Sequence, residues 1–372
     1  VNTVILAACS PGERRVALVE DGALVEYWVC RPGAPDGVGD LLVGRVTEVV
    51  APMAGRFVLT SGATGGADGF LPDSDCPAAA PSGTLLGVRI TRAAQGGKGP
   101  RLTARLSEAE QILAHGRAVG LVRRGADALT RLAARFPDAV VRVDDFSVVA
   151  ALRPALGERV SHVAEAFADA LADEVAGLAA DEIGLFEGGR LQITPTPALT
   201  AIDVDTGAAA SGGGSKTASL EKFNRHVLPA IARQIRLRNL SGAILVDLAG
   251  LSTKRRRALA PALAACLAAD PLQPRLLGFT ALGLAEIVRA RVHPPLHEML
   301  GGAHAAGLSA LRQVTAENMV GQALALRAAP AIVDSLRADS TATAEIAQRI
   351  GRTLIMRADP ALAPDKWLLE AA

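Results

Sequence analysis

Residues 198–207 read ALTAIDVDTG, and residues 224–247 read NRHVLPAIARQIRLRNLSGAILVD. Each stretch carries an acid where an apolar pattern runs. Asp203 stands between Ile202 and Val204, and Asp247 closes the run from Ala243 to Val246. A short apolar run ending in an acid reads as a buried strand. Between the two runs, residues 217–238 read as a long helix, with Leu220, Phe223, Val227, Ile231 and Ile235 along one face. Asn224 falls on that same face. Two carboxylates at strand ends and one amide on the packing helix are therefore expected to converge. Alternation along the strand puts Asp205 on the same side as Asp203. There it adds support to a metal, or simply begins the Gly/Ser-rich loop at 207–215.

Burying a carboxylate is unfavourable by several kcal/mol unless a cation or hydrogen bonds compensate. Magnesium compensates well, because it prefers oxygen ligands and commonly takes one or two protein carboxylates plus phosphate oxygens. Such an ion activates a water and stabilises charge on a phosphoryl oxygen. A lone acid at a strand end is ordinarily a turn or cap residue; two acids, the amide and a surrounding basic segment together point to a metal site.

The surrounding charge favours a polyanion. The chain has 372 residues and a net charge of +1, but residues 216–257 hold ten bases against two acids, and residues 143–187 hold ten acids against two bases. A concentrated basic segment attracts phosphates even in a neutral chain. The alternative is that these bases are solvated helix faces docked on the acidic segment. Aromatics make up only 3% of the residues (Phe 8, Trp 2, Tyr 1), so a nucleic acid would be held mainly by its backbone.

The remaining chain supplies context. Glu20-Asp21-Gly22 reads as a hairpin turn between strands in 14–30. Short strand-like runs at 41–50, 56–60, 67–72 and 84–93, punctuated by Gly and Pro, predict a small β-barrel. Gly96-Gly97-Lys98-Gly99 is a basic loop tip without P-loop spacing. Ser107 followed by Glu110 predicts a capped helix. Residues 158–180, 254–269 and 282–292 read as helices, 275–280 as a strand, and GGAHAAG (301–307) as a hinge before the tail. Cys9, Cys30, Cys76 and Cys266 are widely spaced, which argues against a disulfide framework or a cysteine zinc site. No run has the apolar length of a membrane span and the first residues lack a secretory pattern, so a cytoplasmic protein is expected.

The two opening stretches, extended through LGLAEIVRARVHPPL (282–296), resemble the ribonuclease E/G family. Weaker likeness lies in RRVALVEDGALVEY (14–27), in LLVGRVTEVV, RFVL and GADGFLP of the barrel region, in GGKGPRLTARL (96–106), in GLVRRGA (120–126) and in AIVDSLRADSTATAEIAQRIG (331–351). The resemblance implies a multidomain α+β chain. It would have an RNase H-like base at 1–36 and 136–180, and an inserted OB-fold β-barrel at 37–107. A reduced 5′-sensor region would occupy 108–135, a DNase I-like α/β catalytic subdomain 181–300, and a small C-terminal α/β domain 301–372. It further implies a magnesium-dependent endoribonuclease of single-stranded RNA, with manganese as the substitute ion, working in RNA processing, decay or rRNA maturation. Asp203 and Asp247 would hold the metal, with Asn224 bonded to its water or to the scissile phosphate. Phe57, Phe70, Lys98, Arg123, Arg124, Lys254 and Arg255 would contact RNA, although Phe57 and Phe70 suit core packing equally well.

The sequence departs from the family pattern at several points. Asp205 stands where the family has Asn, and Gly250 where it has a second acid. Arg123-Arg124 replaces Arg-Thr in a shortened sensor, and Ala281-Leu282-Gly283 replaces Arg-Phe-Gly. The C-x-x-C zinc link expected after Pro295 is missing, which implies no zinc and a monomer or a dimer joined without it. The competing reading is a non-catalytic RNA-binding or ribosome-maturation protein derived from the nuclease; a phosphoesterase acting on a small molecule is a third.

Overall fold

The structure, a computed structural model, describes residues 2–60, 68–76, 79–207, 216–317 and 324–371. Apart from Gly207, the Gly/Ser loop read at 207–215 lies outside the described residues. The chain opens with β1 (Thr3–Ser10), β2 (Glu13–Glu20) and β3 (Ala23–Cys30), an antiparallel meander. Asp21 and Gly22 take φ of 48° and 82° at the second turn, the conformation that a tight hairpin requires.

Next come β4 (Leu41–Val50), β5 (Gly55–Leu59), β6 (Gly69–Pro72), β7 (Leu85–Arg92) and β8 (Arg101–Thr103). They pair in the order β5-β6-β8-β7-β4, and β4 returns to β5, closing a five-stranded barrel. Closure leaves no open sheet edge. Leu42, Val46, Val58, Leu71, Val88, Ile90 and Leu102 fill the interior.

Helix α1 (Glu108–Ala114) begins with the capping box, Ser107 and Glu110 each bonding the other's backbone N–H. Strand β9 (Gly120–Arg123) pairs with β4 of the barrel. Helix α2 (Ala128–Arg135) instead buries Leu129, Leu132 and Ala133 against the first sheet. The 108–135 stretch is therefore shared between two units. Strand β10 (Val140–Val143), helix α3 (Phe146–Leu156) and strand β11 (Val160–His162) complete that sheet, in the order β11-β10-β1-β2-β3 with β10 parallel to β1. Within 158–180 a short 3-10 turn (Gly157–Arg159) precedes strand and the α-helix is confined to α4 (Asp169–Gly177), because residues 160–162 bond to β10 as strand.

A second sheet carries the sequence feature read first. It comprises β12 (Glu182–Gly184), β13 (Arg190–Pro195), β14 (Leu199–Asp205), β15 (Gly242–Asp247), β16 (Arg275–Phe279) and β17 (Ala285–Arg289), in the order β12-β13-β14-β15-β17-β16. Helix α5 (Lys216–Leu237) crosses over between β14 and β15, which pair in parallel. Helices α6 (Thr253–Ala258) and α7 (Ala260–Leu267) replace the single helix read at 254–269, broken at Leu259 just before Pro261. Residues 285–289 form a strand rather than the expected helix. Ala285, Ile287 and Arg289 are buried while Glu286 and Val288 are half-buried, a period of two set by antiparallel pairing with β15.

The chain ends in α8 (Leu296–Leu300), α9 (Gly302–Glu317), β18 (Leu324–Ala328), α10 (Pro330–Ala338), α11 (Ser340–Ile350), β19 (Ile355–Ala358) and β20 (Trp367–Ala371). The last three strands form a small sheet in the order β19-β18-β20. GGAHAAG lies within α9 from Gly302 onward and is no hinge. Gly307 is a packing residue: a Cβ there would lie 2.7 Å from Leu336 Cγ on α10. This unit docks on the β1–β2 turn through Arg312–Glu13 at 2.6 Å and the Gly12 N–H to Glu345 at 2.8 Å. The whole is a multidomain mixed α+β chain containing a closed barrel.

One buried cluster ties the end of α5 to the second sheet. Arg289 and Asp270 side chains are each 3% exposed and pair at 2.8 Å. Arg289 also donates to Asn239 Oδ1 at 2.6 Å, and the Asn239 amide donates to the His293 and Pro294 carbonyls. Removing one partner of a buried pair strands the other charge. Asp270→Ala is expected to cost about 3–5 kcal/mol of stability, measured by urea unfolding of the full chain.

Candidate active site

Asp203 and Asp247 stand directly opposite each other on the parallel strands β14 and β15. Neighbouring strands lie about 4.8 Å apart. The alternation that buries Ile202, Val204, Ile244 and Val246 against α5 and α7 turns both acids to the other face of the sheet. Asp203 is exposed and has no ion-pair partner among the described residues. Asp247 is 47% exposed and paired with Arg256 of α6. The pair engages Asp247 Oδ1. The expected convergence of the two carboxylates is therefore a matter of register.

Asn224 sits on the opposite side of the strand ends. It is fully buried (0% exposed), and its amide donates to the Leu220 and Ala249 carbonyls, both at 2.8 Å. Its Oδ1 has no partner among the described residues. So Asn224 does not line the exposed face; it fastens the backbone two residues beyond Asp247. Asp205 lies along β14 from Asp203. It pairs with Arg190 at 2.7 Å and accepts the Gly207 N–H at 2.9 Å. The Gly207 N–H and the Arg190 guanidinium hold its carboxyl below the usual carboxylate range.

The basic segment is largely outward-facing. Lys222, Arg225, Lys254, Arg255 and Arg257 are exposed. Glu221 takes Arg255 at 3.0 Å and Arg225 at 3.9 Å. Docking on the acidic segment is limited, among the described ion pairs, to Arg233 with Glu174 at 2.5 Å. Arg256 is the site residue that sequence reasoning passed over. Its signal was the TKRRR run six residues after Asp247, in which any of three arginines could turn inward.

On the barrel, Phe57 and Phe70 face one another across β5 and β6, ring centroids 5.8 Å apart in an edge-on contact. Their neighbours Val58 and Leu71 fill the interior, which leaves both rings partly exposed on the outer surface. Phe70 is registered beside Arg101 of β8. Lys98 is exposed at the tip of a Gln95–Lys98 bridge. Arg92, Arg101 and Arg291 lie near enough that, after burial itself, the other two depress the Arg92 pKa. The Ala93 N–H donates to the Val292 carbonyl at 2.8 Å, joining the barrel to the segment after β17. This cationic junction was invisible in sequence, since Arg291 lies far along the chain from Arg92 and Arg101.

Arg123 and Arg124, expected to contact RNA, are each bonded to a carboxylate while about half of each side chain stays exposed. Arg124 bonds Asp40, which is 1% exposed, at 2.5 Å, and Arg123 bonds Glu110 at 3.1 Å. Arg89 also bonds Glu110, at 2.7 Å. Both acids are interior to the barrel unit, so these arginines serve as its struts.

A family model for the ribonuclease E/G family matches residues 134–292. Over this stretch the chain is similar to the ribonuclease E/G family. Ribonuclease G of Escherichia coli strain K12 is 35% identical over 120 residues, covering 32% of this chain and 24% of that protein. Ribonuclease E of a Synechocystis species is 36% identical over 120 residues, covering 32% and 18%. Ribonuclease G of Haemophilus influenzae is 34% identical over 119 residues, covering 32% and 24%. The matches thus span about a quarter or less of those relatives' lengths. The family segment contains Asp203, Asn224 and Asp247, and excludes the barrel.

The donor set suits a hard divalent cation. Two carboxylates at opposed register, one without an ion-pair partner among the described residues, match the small protein share of a magnesium sphere. No group of three or more His, Cys, Asp or Glu that could hold a metal occurs among the described residues. The four cysteines are free thiols. No described helix is long and apolar enough to cross a membrane.

The barrel's ion pairs make a pH prediction. The Ser107 N–H outweighs partial desolvation, together with Arg89, and holds the Glu110 carboxyl below its ordinary value. The stabilisation is present above the unfolded-state value of roughly 4.3 and is lost as pH falls through the lower folded value. Glu110→Gln is therefore expected to lower the urea midpoint at pH 7 and to converge with the unaltered protein in strong acid.

Proposed function

We infer that this chain is a divalent-cation-dependent endoribonuclease acting on single-stranded RNA in RNA processing or decay. The observation that carries the reading is the opposed pair Asp203 and Asp247, set within a segment of ribonuclease E/G sequence. Magnesium is the ion the reading assigns, with manganese as its substitute, and the cytoplasm is the compartment.

Asp203 and Asp247 hold the ion, which when bound supplies a Lewis acid and an acidified water. Asn224 keeps the backbone after Asp247 in place through the Ala249 carbonyl. Lys254 and Arg255, with Lys222 and Arg225, neutralise the RNA backbone beside the strand ends. Phe57 and Phe70 stack bases on the barrel, and Lys98, Arg92, Arg101 and Arg291 lead the phosphates away from it. A water oxygen attacks phosphorus, the bond to the 3′-oxygen breaks, and that oxygen takes a proton. The products carry a 5′-phosphate and a 3′-hydroxyl.

Asp203→Asn with Asp247→Asn is expected to abolish magnesium-dependent cleavage of a labelled oligonucleotide, while salt-sensitive binding persists. Intact cleavage in that variant would refute the assignment. Because Arg123 and Arg124 are held by Glu110 and Asp40, oligonucleotides with 5′-monophosphate and 5′-hydroxyl are expected to be cut at similar rates. A strong preference for the monophosphate would contradict this.

One observation favours a second reading, an RNA-binding or ribosome-maturation protein without catalysis. Asp247 is already neutralised by Arg256, and position 250 offers no carboxylate. That protein would bind RNA equally in magnesium and in EDTA and cut it in neither.

A further inference from the structure

Asp247 meets a cation that belongs to the chain itself. Arg256 Nη1 donates to Asp247 Oδ1 and to the Gly283 carbonyl at 3.3 Å, and its Nε donates to the Leu251 carbonyl at 2.9 Å. Two of these three partners are backbone oxygens from different loops. The guanidinium is thus held beside the site independently of Asp247. Its side chain is 13% exposed against 47% for Asp247, so the arginine is the fixed member of the pair.

The surrounding turns are shaped to this arrangement. Gly283 takes a φ of 87°, and a Cβ there would lie 3.2 Å from Arg256 Cδ. Gly250 takes a φ of 60°, and a Cβ there would lie 3.0 Å from Leu220. The first leaves room for the arginine. The second disfavours any side chain at 250, so that turn adds no carboxylate beside the pair. An arginine does not lose its proton in proteins, so the positive charge is permanent.

We propose that Arg256 is a built-in counter-ion of the Asp203–Asp247 pair, a positioning residue that competes with a divalent cation for Asp247 and thereby sets how much cation the site needs. The proposal rests on the reading of the two aspartates as cation-holding groups. It predicts a weak, readily displaced divalent ion, with the guanidinium occupying Asp247 whenever the ion is absent.

The test measures manganese binding to the full chain, without RNA, from the electron paramagnetic resonance of free Mn2+. Arg256→Gln removes the charge and is expected to tighten binding roughly fivefold or more, since a neighbouring like charge is lost. Arg256→Lys keeps the charge and is expected to stay near the unaltered affinity. Unchanged affinity in Arg256→Gln, where Asp247→Asn weakens binding, would overturn the proposal and leave the site reading intact. Binding that survives Asp203→Asn and Asp247→Asn together, or is absent from both the unaltered chain and Arg256→Gln, would overturn both. Should Arg256→Gln not fold, the unaltered chain still decides. Magnesium is expected to shift the Arg256 Nη1 resonance as it takes Asp247 from the guanidinium, whose Nε stays anchored on the Leu251 carbonyl. A stationary resonance at saturating magnesium would overturn the proposal.

Discussion

The parallel pairing of β14 with β15 is the constraint on which the rest of the site depends. Two parallel neighbours cannot be joined by a hairpin and need a long crossover, which α5 supplies. The helix contributes Leu220, Phe223, Val227, Leu228, Ile231 and Ile235 to one buried stripe, and the sheet meets it with Ile202, Val204, Ile244 and Val246. Each fully buried side chain of this kind stabilises the fold by roughly 1.5–3 kcal/mol. A slip of one residue in either strand would turn an aspartate into that core and an isoleucine or valine out of it. The same packing that secures the sheet therefore secures the opposition of Asp203 and Asp247.

Charge is organised around that core in two ways. Interior carboxylates are matched locally, Asp270 by the equally buried Arg289, Asp40 by Arg124, and Glu110 by Arg123 and Arg89, the last three arginines reaching in from the surface. Surface charges near the strand ends remain in excess, because the acidic segment reaches the basic one through Arg233 and Glu174 alone among the described ion pairs. An exposed basic surface beside two carboxylates has the electrostatic form suited to a phosphate backbone and a small cation. Arg256 joins both regimes, fixed like an interior charge yet bonded to a site carboxylate.

The sequence was most legible where long periodic segments carry their own signal. The α5 stripe, the β15 run, the Asp-Gly hairpin and the Ser107–Glu110 capping box all form as read. It was least legible in short apolar runs. Residues 285–289 suit either period until β15 supplies the hydrogen bonds that make them strand. Gly301–Gly307 resembles a hinge until Leu336 is seen lying where a side chain at 307 would be. Asn224 shares the apolar face as expected, but burial commits its amide to Ala249 rather than to the exposed side.

By itself the sequence determined the strand–helix–strand unit, the two aspartates at its strand ends and the segregation of charge, because each follows from local spacing along a few dozen residues. Only the tertiary structure decided which face the aspartates take, which of the clustered arginines turns inward to Asp247, and that Arg123 and Arg124 are struts. It also decided that Arg92, Arg101 and Arg291 share one junction. Those outcomes depend on partners from nine to nearly two hundred residues away, and a one-dimensional pattern carries no record of which backbone or carboxylate will arrive beside a given side chain.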